Sequence, residues 1–237
     1  MLTLIQGQPV IRLQHLSKHF GMVQALDNLS VDMMPGHIVG LFGENGTGKT
    51  TLLKILAGLY RDYDGTVEIL GEKPSYKTKG EVAYLPDRNS FGLDQTPAEM
   101  MTLYDTYFDN FDKEKCGQLL SQFGLKTDTT FREMSKGMID KVQLAFVLAR
   151  EAKVYLLDEP LGGVDSNARE VVLNAILENF DFRGVMIIVT HFIDEMERII
   201  DTAMVLKEGK LAVYAPCDQL EGNEELSLEE IVRGISR

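Results

Sequence analysis

Gly43-Glu44-Asn45-Gly46-Thr47-Gly48-Lys49-Thr50, followed by Thr51, has the spacing G-x-x-x-x-G-K-[ST]. Glycines in such a loop let consecutive backbone N–H groups turn inward toward phosphate oxygens. A helix opening near Thr50 adds its positive N-terminal end. Lys49 is then placed to reach β- and γ-phosphates, and the Thr50 hydroxyl to ligate Mg²⁺. Chance supplies this pattern in roughly one chain in a hundred of this length, so its surroundings decide the reading. His37–Phe42 (HIVGLF) reads as a buried strand before the loop. Thr50 to about Leu59 reads as a helix after it, with Leu52, Ile55, Leu56 and Leu59 on one face. Strand, loop and helix in that order point to a nucleoside triphosphate such as ATP.

Outward from the loop, Val10–Leu16 and Leu29–Met33 read as strands, and Pro35-Gly36 as a turn. Downstream, Asp64-Gly65 reads as a turn leading into strand Thr66–Leu70, and Glu81–Leu85 as a further strand. From Thr96 to Arg150 the period becomes helical almost throughout, with breaks near Gly124 and Phe131. That stretch carries Tyr104, Tyr107, Phe108, Phe111 and Phe123, read mainly as its own packing core. Strands return at Val154–Leu157 and Val185–Thr190, with helix Ser166–Phe180 between them. Thr202–Leu206 and Lys210–Tyr214 form a hairpin around Glu208-Gly209. Apolar strands alternating with helices predict an α/β fold with a parallel sheet covered on both faces. The helical stretch is an insertion in that core.

Val154-Tyr155-Leu156-Leu157-Asp158-Glu159 is an apolar strand ending in two acids. In an open α/β sheet, ligands bind at the carboxyl ends of the strands. Asp158 is therefore placed to hold Mg²⁺. Glu159, one residue on, is placed to orient and deprotonate an attacking water. His191 follows strand Val185–Thr190 directly and reaches the same edge, where a donor can bond the γ-phosphate or hold Glu159. His15, His19 and His37 have no comparable setting.

The formal net charge of −12 disfavours unspecific binding to nucleic acid or anionic lipid. No run of 18 apolar residues is present, so no membrane span is expected. The first residues lack a basic stretch before an apolar one, so no secretory signal is expected. Cys116 and Cys217 have no metal-type spacing and read as free thiols of a reducing cytosol. The acidic cluster Glu221–Glu230 reads as solvated surface.

The order of these pieces, with Met134-Ser135-Lys136-Gly137-Met138 between them, resembles the ATPase subunit of ATP-binding-cassette (ABC) transporters from about Val10 to Tyr214. The resemblance implies a P-loop NTPase core of RecA-like type, an N-terminal antiparallel β region and an inserted α-helical subdomain. As one domain, 1–87 and 151–220 would be the α/β core, 88–150 the helical subdomain and 221–237 an acidic C-terminal segment. It implies that Phe20 stacks on adenine, Gly43 to Thr51 form the Walker A loop, Asp158 and Glu159 are the Walker B aspartate and catalytic glutamate, Leu161 to Asp165 (LGGVD) form the D-loop, and His191 is the switch histidine. It further implies a head-to-tail dimer with an identical or homologous ATPase subunit. In that dimer one subunit's loop and the other's Ser135, Lys136 and Gly137 grip each ATP. Separate transmembrane permease subunits would hold the chain on the inner face of the cell membrane, with no nucleic-acid partner.

Two positions depart from the family pattern. Its signature usually reads Leu-Ser-Gly-Gly-Gln, and this Ser-Lys-Gly-Met form resembles subunits of small bacterial exporters linked to bacitracin, lantibiotic and cytolytic-peptide export. Lys136 adds a cation able to approach a γ-phosphate or to point to solvent. Asp87 stands where the family usually has Gln and offers a charged ligand to Mg²⁺. Phe91, Leu93, Met100 and Met101 are candidate contacts for a short helix of the permease. Two other readings are a soluble ABC-type ATPase acting on nucleic acid or ribosomes, and a binding-only ATP sensor. The single phosphate loop and acidic charge oppose the first; the filled positions Glu159 and His191 oppose the second.

Overall fold

The computed structural model describes residues 7–221 and 227–236. In chain order its strands are β1 (Ile11–Phe20), β2 (Val23–Met33), β3 (His37–Phe42), β4 (Asp64–Ile69), β5 (Val82–Leu85), β6 (Val154–Asp158), β7 (Val185–Val189), β8 (Thr202–Lys207) and β9 (Lys210–Pro216). Its helices are α1 (Lys49–Leu56), α2 (Pro97–Tyr107), α3 (Lys113–Gln122), α4 (Lys136–Leu148), α5 (Ser166–Glu178), α6 (Ile193–Met196), α7 (Cys217–Glu221) and α8 (Leu228–Ser236).

The central sheet has the order β5-β6-β7-β3-β8-β9. β5, β6, β7, β3 and β8 run parallel, and β9 closes the edge antiparallel to β8. Every residue of β6 and β7 is buried, as expected of strands covered on both faces. The pleat divides their side chains between two cores. Ile38, Phe42, Tyr155, Leu157, Met186 and Ile188 face the core shared with α2 to α5. Val39, Leu41, Leu156, Val154, Ile187 and Val189 face the other, with α1 and the second sheet. That second sheet is antiparallel, in the order β2-β1-β4.

The N-terminal strands are longer than the sequence indicates. β1 and β2 form one hairpin reaching to Phe20 and Val23, and their register shifts three times. His15 and Asn28 carry positive φ at these irregularities. Each bulge breaks the two-residue alternation by which a strand is recognised. Asp64-Gly65 is part of β4 rather than a turn, with Asp64 opposite Ser17. Helix α1 stops at Leu56, three residues earlier than expected, because Gly58 takes φ 67°. Leu59 consequently lies exposed, off the apolar face.

Helices α2, α3 and α4 occupy the connection between the neighbouring strands β5 and β6. Thr96 and Glu99 form a reciprocal capping box at the start of α2, with Pro97 in its first turn. An additional break falls at Phe108–Asp112, where Phe111 bridges to Arg150 and Asp112 caps α3. Phe91 stacks on Phe131 at 4.8 Å, and Tyr104 meets Phe146 edge-on at 4.9 Å. Tyr107 does not join this cluster and points outward. Phe91, Met100 and Met101 are buried in it, so they are not available to a docking helix; Leu93 remains exposed. Of the acidic cluster Glu221–Glu230, positions 222–226 lie outside the described residues. Among the described residues no helix is long and apolar enough to cross a membrane.

Candidate nucleotide-binding and hydrolysis site

A cavity of about 540 Å³ opens at the carboxyl edge of the parallel strands. The loop after β3, the end of β6 and the segment after β7 converge there because these three strands are adjacent and parallel. Asn45, Gly46, Gly48, Lys49, Thr50 and Thr51 line it from the loop and α1. Asp158 and Glu159 enter from β6, His191 from the turn after β7, and Asp87 and Lys136 from the helical side. Gly43 and Glu44 line a neighbouring cleft of about 350 Å³ with His191 instead, and Thr47 lines neither. Gly48 takes φ 101°, and a Cβ there would lie 2.3 Å from the Ala25 carbonyl oxygen of β2. Only glycine fits that close approach and backbone together.

Lys49 is buried, and its ammonium donates to the carbonyls of Gly43 at 2.7 Å and Glu44 at 2.8 Å. The loop thus wraps on its own lysine. Burial lowers the Lys49 pKa, while Glu159 and Asp158 oppose that shift. The Thr50 hydroxyl donates to Asp158 Oδ2 at 3.1 Å. Burial raises the Asp158 pKa, and this hydrogen bond pulls it back. Two hard oxygens are therefore held side by side at the cavity floor, with the Asp87 carboxylate on the same wall. Mg²⁺ keeps several waters and takes few protein oxygens alongside phosphate oxygens, so this donor set fits it. No cluster of three or more His, Cys, Asp or Glu fit to hold a metal unaided occurs among the described residues.

Glu159 sits at φ 57°, a region costly for a non-glycine residue and frequent at functional sites. Its amide donates to the Val189 carbonyl at 2.8 Å, which fixes the strand end. Its Oε2 accepts from the His191 amide at 3.2 Å. His191 Nε2 lies 3.2 Å from Oε1, off good hydrogen-bond alignment, so this buried oxygen has no aligned donor among the described residues. Burial raises the Glu159 pKa and His191 opposes the shift. The result is a carboxylate with one oxygen tied to a backbone amide and the other buried without an aligned donor, beside an exposed imidazole.

Ser135 and Gly137 are not part of the cavity. Ser135 is exposed and caps α4, its hydroxyl accepting from the Met138 amide at 3.2 Å. A Cβ on Gly137 would lie 2.0 Å from the Gly163 carbonyl oxygen, so this glycine also lets α4 close on the Leu161–Asp165 loop. Lys136 stands at the rim of the chain's own cavity beside Asp87, and lines a small crevice with Asp87 and Asp140. Phe20 is at the tip of the β1–β2 hairpin, outside the cavity lining.

Several neighbours were not read from the sequence. Gln143 is buried in α4 and accepts from the Ser90 amide at 3.0 Å, tying the loop after Asp87 to that helix. Arg169 packs its guanidinium 4.2 Å from the Phe192 ring centre and pairs with Glu195, steadying the segment after His191. Tyr84 has a buried hydroxyl with no hydrogen-bond partner among the described residues, and burial raises its pKa. These contacts join residues 23 to 53 positions apart, and no local pattern signals them.

The sequence profile of the ABC transporter family matches residues 26–162, from β2 through the loop to the turn after Glu159. The chain belongs to the ABC transporter family. A galactose/methyl galactoside import ATP-binding protein of Treponema denticola is 30% identical over 233 residues, 92% of this chain and 46% of that protein. A Nod factor export ATP-binding protein I of Paraburkholderia xenovorans is 28% identical over 219 residues, 88% of this chain and 72% of that one. Among solved structures, a dimeric post-hydrolysis ATP-binding cassette bound to ADP and Pi superposes with a TM-score of 0.78 at 21% identity, covering 87% of this chain and 98% of that chain. The fold is that of an ABC ATPase cassette, a P-loop NTPase. As a nucleotide-binding subunit of this family the chain is an ATPase that uses ATP and Mg²⁺.

Proposed function

We propose that this cassette powers export through separate membrane subunits, as a head-to-tail dimer, from the inner face of the cell membrane. The observation that carries the hydrolytic part is Glu159, a buried carboxylate with one oxygen that has no aligned donor among the described residues, one residue beyond the Thr50–Asp158 pair. Thr50 and Asp158 would hold Mg²⁺, with Asp87 near it; when bound, the ion supplies positive charge to the β- and γ-phosphates. Lys49 exchanges its two carbonyl contacts for phosphate oxygens, and the loop amides with the α1 terminus bind the rest. The unbonded oxygen of Glu159 would accept a proton from water as it attacks in line. His191 holds the other side of Glu159 and faces the leaving phosphate. Ser135 and the amide of Gly137 would serve the partner subunit's ATP, since neither lines the cavity of its own chain.

Support for export comes from the Ser135-Lys136-Gly137 form of the signature and from the relative named for Nod factor export; the relative named for import shows that both directions occur among similar chains. A cleft of about 190 Å³ between the core and the helical segment, lined by Leu59, Tyr84, Tyr104 and Phe108, suits a short helix of a membrane subunit. This site replaces Phe91, Met100 and Met101 as the candidate contact. The test is phosphate release with and without co-purified membrane subunits. Glu159→Gln should lower the rate by about 10²–10⁴-fold with ATP binding retained. An unchanged rate removes Glu159 from the chemistry, and purification without membrane subunits removes the transport assignment.

A further inference from the structure

Lys18 is a buried cation that hydrolysis does not use. It lies in β1 opposite Leu26, is 5% exposed, and pairs with the fully exposed carboxylate of Asp62 at 3.2 Å. Its ammonium also stands 4.8 Å from the centre of the Phe20 ring. Tyr60 meets the same ring edge-on, with centroids 5.4 Å apart and planes at 70°. Lys54, on α1, lies 5.7 Å from the Tyr60 ring centre. A cation–ring–ring–cation ladder therefore runs from the hairpin tip to the helix that opens at the phosphate loop. Phe20 itself remains 43% exposed.

We infer that Lys18 and Tyr60 are positioning residues for the nucleotide base, clamping Phe20 so that one free ring surface is held ready for stacking. This rests on the reading of Phe20 as the base platform. A desolvated ammonium near a ring is a strong cation–π contact, and an edge-on aromatic neighbour restrains the ring further. A ring already fixed loses little freedom when a base stacks on it, so affinity rises without any new contact to the ligand. The clamp acts on the base alone: none of Lys18, Phe20 and Tyr60 lines the cavity at the phosphate loop.

The experiment is calorimetric titration with two probes, ATP and inorganic tripolyphosphate, the second lacking a base. Lys18→Met should weaken ATP about three- to tenfold, the effect of freeing one side chain, and leave tripolyphosphate unchanged. Lys18→Arg keeps the cation and should bind like the parent. Lys18→Met added to Phe20→Ala should cost nothing further. If Lys18→Met does not fold, Tyr60→Leu carries the same ATP-selective prediction. Equal loss of both probes makes the role merely structural and overturns the inference. Parental ATP affinity in Lys18→Met and Tyr60→Leu overturns it too: with Phe20→Ala impaired, the base platform survives; with Phe20→Ala also parental, that reading falls as well.

Discussion

The carboxyl edge of the parallel sheet and the start of α4 both carry groups suited to an anion, yet they are built differently. At the sheet edge the parts already touch: Lys49 on its loop carbonyls, Thr50 on Asp158, Glu159 beside His191. At α4, Ser135 is exposed and its hydroxyl only caps its own helix. The first region has everything to hold a triphosphate within one chain. The second is a capped helix start of which Lys136 reaches its own chain's cavity while Ser135 and Gly137 do not line it. In the proposed dimer, a single copy would make one site and half of another, with Ser135 at the start of α4 acting on a ligand that the partner subunit holds.

Lys49 carries the most at the sheet edge. Lys49→Ala removes the cation on which the loop is wrapped, and ATP affinity should fall by more than about 100-fold, since charge-assisted bonds to a desolvated phosphate are each worth several-fold to tens-fold. Equilibrium titration with a fluorescent nucleotide checks this; near-parental affinity would remove Lys49 from its role. Asp87→Gln and Lys136→Gln probe the rim where the two regions meet. Asp87→Gln should keep ATP binding while raising the Mg²⁺ concentration needed for half-maximal hydrolysis, because a charged ligand becomes neutral. Lys136→Gln should lower that concentration by removing a cation from the same rim. An unchanged Mg²⁺ titration in both would show that the rim does not sense the metal. Ser135→Ala should leave ATP affinity of the single chain unaltered, slow hydrolysis, and cost about 1 kcal/mol of stability as a lost helix cap. Thermal melting and rate together separate these effects. The smallest effect concerns Cys116, whose thiol burial pushes its pKa up to about 12. It should not react with a thiol reagent at pH 8 until the chain is unfolded, as mass spectrometry would show.

Much of the sheet edge is legible in sequence because its signals are local. Apolar runs such as HIVGLF, VYLL and VMIIV are short, continuous and followed at once by Gly43, Asp158 or Thr190-His191. The helical side is less legible. Phe91, Met100 and Met101 read as contacts for a docking helix, and only their burial, with Phe91 packed on Phe131 and Phe146, decides for core. The break at Phe108–Asp112 depends on Arg150, whose buried guanidinium bonds the carbonyls of Val82, Lys79 and Gly80 and packs on Phe108. No residue near the break announces that partner. The bulged β1–β2 hairpin hides for a related reason: His15 and Asn28 interrupt the alternation, so the strand pattern ends before Lys18 and Phe20.

In the proposed mechanism hydrolysis requires two copies of the chain, with ATP joining them. Glu159→Gln should keep ATP bound and uncleaved, so the joined form should accumulate. Its mass by size-exclusion chromatography with light scattering should be that of one 26.6 kDa chain without nucleotide and twice that with Mg²⁺ and ATP. Addition of Lys49→Ala should return it to one chain. A Glu159→Gln chain that retains ATP, fails to hydrolyse it and stays a monomer would contradict a dimer of identical copies.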